Sequence, residues 1–139
     1  MEPRLFLDTN VMIDLLGERE PHYHHAAVLA SLADNGQLQM VTSSLSFVTS
    51  EYVLCQYENK EAVLDKLRKF KTLTEVATVD DPIIDKALHS GFNDFEDAVQ
   101  YHSALKSNCQ IIITRNKKDF KLSEIPVMSP KEFLEGNHL

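Results

Sequence analysis

The chain has 139 residues, 43% hydrophobic and 25% charged, a balance that supports a hydrophobic core and excludes an intrinsically disordered chain. Its net charge of −7 excludes a surface coated in basic residues for tight, unspecific nucleic-acid binding, but it is compatible with an acidic metal site that has a local basic rim. No apolar run approaches the roughly 18 residues of a membrane span, and Met1-Glu2-Pro3-Arg4 lacks a signal-peptide pattern. The expectation is therefore one domain over residues 1–139, a cytoplasmic location and no membrane partner. Cys55 and Cys109 have no close spacing, and each lies in or beside an apolar segment, so they read as buried thiols rather than a disulfide.

Elements of two periods alternate along the chain. Leu5 to Leu7 reads as a buried strand, and Val11 to Leu16 as a short apolar helix that Gly17 closes. A second helix is expected from Pro21 to Asn35-Gly36, because proline suits a first helical position. Met40-Val41-Thr42 is a weak strand. Helices follow from about Ser46 to Tyr57 and from about Asn59 to Lys71, the latter with Val63, Leu67 and Phe70 on one face. Val76 to Val79 is β-branched enough for a strand. Asp81-Pro82 opens a helix that ends at His89-Ser90-Gly91. The helix from Asp94 to Lys106 carries Ala98, Tyr101, His102 and Leu105 at helical spacing. Ile111 to Thr114 suits a central parallel strand covered on both faces. Pro126-Val127-Met128 is a last strand, and Pro130 starts a final helix. The fold class is α/β: a three-layer α/β/α sandwich around a mostly parallel sheet.

The first strand stops abruptly at Asp8-Thr9-Asn10, which places a carboxylate at the strand's C-terminal edge, where open α/β sheets bind ligands. Asp94, Asp97 and Asp119 belong to segments that lead back to the same edge. Acids gathered there repel one another and require a cation. Hard oxygen donors, with no Cys or His at metal-ligand spacing, favour Mg²⁺ or Mn²⁺ over zinc. His22, His24 and His25 crowd the start of the second helix, but they point in different directions and read as a solvated helix end.

Three blocks together resemble the PIN domain, the family of metal-dependent nucleases that includes VapC-type ribonuclease toxins. They are Leu7-Asp8-Thr9-Asn10-Val11 after the first strand, Asp97 to Leu105 on the late helix, and Ile113 to Phe120 after the next strand. The closing Pro126 to Leu134 is also similar to the family's last strand and helix. The resemblance implies hydrolysis of RNA phosphodiester bonds by Mg²⁺ or Mn²⁺ held on three or four acids. It implies an RNA substrate and an antitoxin protein as partners, with a homodimer as a further candidate. Carried over residue by residue, it makes Asp8, Asp97, Asn116 and Asp119 the catalytic candidates. Asp8, Asp97, Asp94 and Glu51 become the metal candidates, and Thr114, Arg115, Lys117 and Thr49 the substrate contacts. The family's second acid aligns with Thr49, a hydroxyl; Glu51, two residues on, differs in azimuth by about 200° on a helix.

Each of these residues also has a purely structural reading. Asp94 can cap the late helix with Asp97 at its third position. Asp8-Thr9-Asn10 can be a turn with Asn10 as a cap, although a carboxylate at a buried strand end is costly to desolvate. Asn116 and Asp119 can be turn residues, and Glu51 can lie on a solvated helix face. Arg115, Lys117, Lys118 and Lys121 can grip phosphate or remain solvated loop charges. Lys66, Arg68, Lys69 and Lys71 read first as an exposed helix face. Tyr52, Tyr57 and Tyr101 can stack on bases but are expected in the core. The alternative of another class is a PIN-like module that has lost catalysis and binds nucleic acid or protein, favoured by Thr49. A phosphatase with Asp8 as nucleophile is disfavoured because Asn10 stands where such enzymes carry a second aspartate.

Overall fold

The computed structural model describes residues 2–136. Five strands form one sheet in the order β3-β2-β1-β4-β5, and every pairing is parallel. They are β1 (Arg4–Leu7), β2 (Gln39–Ser43), β3 (Thr74–Ala77), β4 (Ile111–Ile113) and β5 (Val127–Met128). The central strands carry apolar residues through their middle positions, which divide by parity. Leu5 and Leu7 of β1, Met40 of β2, and Ile111 and Ile113 of β4 enter the core on one face, whereas Phe6, Val41 and Ile112 enter the core on the other. A parallel strand buried on both faces requires this uninterrupted apolar run.

Helices cover both faces, as the alternating periods predict. On the first face lie α1 (Thr9–Leu16), α2 (Tyr23–Asp34), α3 (Ser44–Leu54), α4 (Lys60–Lys71) and α7 (Pro130–Glu135). Val63, Leu67 and Phe70 of α4 all enter that core, as their common helical face requires. On the second face lie α5 (Asp81–Leu88) and α6 (Phe95–Lys106), joined through Ile83, Ala87, Ala98 and Val99. Between them the chain turns at Gly91, φ +81°, a conformation that a side chain would resist. It then lays Phe92 against Tyr101 and Phe120, with ring centroids 5.2 and 6.3 Å away.

The element boundaries differ from the expectations where local hydrogen bonds decide them. Helix α2 begins at Tyr23 rather than Pro21, because the Arg19 carbonyl accepts from the amides of both His22 and Tyr23 and closes a turn first. Helix α3 starts at Ser44, since Ser43 Oγ accepts from the Ser46 amide as its cap. Strand β3 covers residues 74–77 rather than 76–79; its register against β2 is fixed by Met40 opposite Thr74, and the Thr42 and Thr74 hydroxyls meet at 3.0 Å. A 3-10 turn over Lys117–Phe120 was not anticipated. Tyr52 and Tyr57 are 69% and 81% exposed, which overturns their expected place in the core; only Tyr101 of the three is buried. Both cysteines are free thiols; Cys109 is buried and Cys55 half-buried. Among the described residues no helix is long and apolar enough to cross a membrane.

Candidate active site at the C-terminal edge of the sheet

Strand order decides where a site can form. The chain builds β1, β2 and β3 outward on one side, then crosses to lay β4 on the other side of β1. The crevice between the ends of β1 and β4 is therefore the topological switch point, where no crossover helix covers both strands. Asp8 leaves β1 there with its amide bonded to the Ile113 carbonyl at 2.9 Å, and Thr114 leaves β4 beside it.

Asp8 is 7% exposed and held from several directions. Its Oδ1 accepts from the Thr9 amide at 2.9 Å, and Thr114 Oγ1 donates to its Oδ2 at 2.8 Å. The Gln100 amide approaches Oδ1 at 3.4 Å. Burial raises the Asp8 pKa, the bonds from Thr114, Thr9 and Gln100 oppose that rise, and the charge of Asp119 adds to it. Thr114 in turn accepts from the Asn116 amide at 3.1 Å and from Asn10 Nδ2 at 3.4 Å. Its hydroxyl thus fixes a carboxylate and the following loop.

The acids of α6 complete the edge. Asp94 is the cap of this helix, its Oδ1 accepting from the Asp97 amide at 3.0 Å. Asp97, half-buried one turn into the helix, is pushed up to about 7: burial is the largest cause, followed by the charges of Asp8, Asp94, Asp119 and Glu96. Desolvation and the charges of Asp8 and Asp94 also raise Glu96, a residue that the sequence reading passed over although it adjoins Asp97. Asp94, Asp97 and Asp119 line one cavity of about 240 Å³ together with Lys118 and Lys121. Asp8, Asp94, Glu96, Asp97 and Asp119 therefore act as one electrostatic cluster. Among the described residues, however, no three His, Cys, Asp or Glu side chains are spaced to hold an ion by themselves.

The remaining candidates lie elsewhere or are occupied. Asn116 precedes the 3-10 turn, where its side chain makes no cap bond. Glu51 is absent from the charges acting on Asp97, and its Oε2 accepts from Cys55 Sγ at 3.3 Å within α3. The structure does not bring it to the cluster, because α3 turns Ser46, Ser50 and Leu54 inward. Thr49 is half-buried on α3, one turn past Ser46, and its hydroxyl makes no hydrogen bond among the described residues. Arg115 and Lys117 are both ion-paired. Arg115 Nε binds Asp14 Oδ2 at 2.5 Å, with the Asp14 side chain 2% exposed. Lys117 binds Glu132 at 2.8 Å and holds that carboxyl down to about 2, helped by the Ser129 amide.

The largest omission from the sequence reading is Gln100, which is fully buried. Ser43 Oγ donates to its Oε1 at 2.6 Å, and its Nε2 donates to Ser46 Oγ at 2.8 Å and Thr9 Oγ1 at 3.2 Å as well as to Asp8. The Thr9 and Ser46 hydroxyls meet at 2.7 Å. Gln100 therefore ties α6, α3 and the end of β1 together without any charge. The available signal was a polar residue three places after Asp97, on the inward face marked by Ala104 and Tyr101.

The PIN domain profile matches residues 4–118. The chain belongs to the PIN domain family. Ribonuclease VapC1 of Aquifex aeolicus (strain VF5) is similar over 137 residues at 28% identity, covering 95% of this chain and 94% of that protein. Among solved structures, the DNA-bound VapBC of Salmonella typhimurium is similar at TM-score 0.67 and 19% identity, over 92% of this chain and 98% of that one. A toxin-antitoxin complex from Klebsiella pneumoniae is similar at TM-score 0.66 and 22% identity, over 91% and 97%. Those structures share the α/β/α architecture found here, so the expected fold class holds, with a sheet wholly rather than mostly parallel.

Proposed function

We propose that this PIN domain is a Mg²⁺- or Mn²⁺-dependent endoribonuclease acting as the toxin of a toxin-antitoxin pair. The observation that carries the reading is the gathering of Asp8 and Asp97 at the switch point, where burial, and then the charges of Asp8, Asp94, Asp119 and Glu96, push the Asp97 carboxyl up to about 7. Acids in that state favour a bound cation, and the donor chemistry fits a hard one. Two carboxylates are enough when water fills the other positions, as it does around Mg²⁺. Asp8 and Asp97 would hold the ion, with Asp94, Glu96 and Asp119 around it. A divalent ion bound there supplies Lewis-acid polarisation of a phosphodiester and activation of water for attack at phosphorus. The chain's own part is orientation: Thr114 and Gln100 hold the Asp8 carboxylate in place, and the α6 cap sets the position of Asp97. The antitoxin partner is supported by the similarity to VapBC and toxin-antitoxin assemblies.

The second reading, a domain that binds without cutting, is favoured by the hydroxyl of Thr49 at the second acid position and by the lack, among the described residues, of three His, Cys, Asp or Glu side chains spaced to hold an ion. Cleavage of a mixed-sequence RNA with Mn²⁺ or Mg²⁺, beside calorimetric Mn²⁺ titration, separates the two. Asp8→Asn and Asp97→Asn should each lower cleavage at least about 100-fold, since each removes charge at the reacting centre. Both should also abolish high-affinity Mn²⁺ binding while circular dichroism stays unchanged. Wild-type protein that binds RNA but never cuts it would establish the second reading.

A further inference from the structure

The acid-lined cavity does not end at the acids. Phe92 and Leu122, which form part of its wall, also line a second hollow of about 480 Å³ on the outer side of α6, together with His102, Leu105 and Lys86. The two hollows adjoin at Phe92 and Leu122, forming a trough with Asp97 and Asp119 in one half and His102 and Lys86 in the other. Its apolar surface is unusually open: Leu122 is 55% and Leu105 36% exposed. At its waist Phe92 packs against Tyr101 at 5.2 Å and Phe120 at 6.3 Å. The Tyr101 hydroxyl is itself fixed, accepting from the Glu124 amide at 3.1 Å.

The charges along the trough are equally distinctive. Among the described residues no ion pair involves Lys118, Lys121 or Lys86, whereas Lys66, Lys69, Lys106 and Lys117 are all paired. Unpaired cations thus flank both hollows, and among the described residues that line the outer one Glu124 is the only carboxylate. Burial and the nearby Lys86 charge lower the His102 pKa, so the imidazole is neutral near pH 7 and suits stacking rather than ion pairing. A fixed ring, open apolar side chains and spaced free lysines fit a single strand, whose bases stack while its phosphates meet the lysines.

We propose that this trough is the track for the single-stranded RNA flanking the scissile phosphate, with bases at Phe92 and Leu122 and phosphates at Lys118, Lys121 and Lys86. The proposal rests on the ribonuclease reading and adds the path of the substrate.

The test is fluorescence anisotropy of a labelled single-stranded decaribonucleotide with the full chain in metal-free buffer at several salt concentrations. Three exposed-site or conservative variants are used: Phe92→Leu, Leu122→Ser, and Lys86→Ala with Lys121→Ala. Phe92→Leu and Leu122→Ser should each weaken binding about fivefold or more. The double lysine variant should reduce the slope of log affinity on log salt by about 1.4, the value for two lost contacts to a single strand. Mn²⁺ affinity should be unchanged in all three, which separates a substrate track from damage to the acids. Wild-type protein that does not bind the RNA would overturn both the track and the ribonuclease reading. Tight wild-type binding that the three variants leave intact, but that Lys131→Ala beside the His22 and His25 groove abolishes, would overturn the track alone by placing the strand on the opposite side of the crevice.

Discussion

The inner wall and the outer rim of the crevice are built on opposite principles. The inner wall, from Thr114 through Asp8 to Thr9, Ser46, Gln100 and Ser43, is buried, and its hydrogen bonds interlock. The outer rim, Asp94, Glu96, Asp97 and Asp119, is more open, and there burial, followed by the charges of Asp8, Asp94, Asp119 and Glu96, raises the proton affinity of Asp97. The wall is complete without a ligand, whereas the rim carries repulsion that folding alone does not relieve. A site divided this way positions one carboxylate in advance and leaves the energy of the others to be released when a cation arrives.

The comparison makes its largest prediction at the wall. Gln100→Leu removes the partner of four buried groups and should destabilise the apo protein by about 2–3 kcal/mol, the cost of buried polar atoms left unpaired. Chemical denaturation would show it as a lower midpoint. A midpoint equal to wild type would mean that the wall is not what holds Asp8.

The rim should behave in the opposite way. The Asp97 carboxyl holds its proton more tightly when folded than when unfolded. Between the unfolded value near 4 and the folded value of about 7, the native state carries the extra proton, and stability falls as pH rises through that window. The upward shifts of Asp8 and Glu96 act with the same sign. His102, lowered by burial, acts with the opposite sign near its ordinary range, so the quantity to follow is the difference between wild type and Asp97→Asn. Asp97→Asn should be more stable at pH 8 by about 1–2 kcal/mol, after discounting for the water that reaches a half-exposed carboxylate, and the gain should vanish by pH 4. A gain independent of pH would show that repulsion is not its cause. The downward shifts of Glu132 and Asp80 reverse the slope only below the ordinary carboxylate range.

The smallest effect belongs to a residue outside both regions. Glu51→Gln should leave Mn²⁺ affinity within about twofold, because Glu51 bonds to Cys55 and is not among the leading charges acting on Asp97. Titration calorimetry decides it, and a loss greater than tenfold would place Glu51 in the metal site.

By itself, the sequence determined the layers and the parallel character of the sheet. Uninterrupted apolar strands such as Ile111–Ile113, and helices with one apolar face such as α4, carry their burial in their own periodicity. The Asp94 cap was legible for the same reason, since a cap is set by residues three apart. Tertiary structure alone decided the partners of the polar groups. Gln100 meets Asp8 across 92 residues, Thr114 meets Asp8 across 106, and Arg115 meets Asp14 across 101. No local pattern encodes such meetings. They follow from β4 lying beside β1 and α6 packing over their ends, and they give Thr114 and Arg115 partners within the fold.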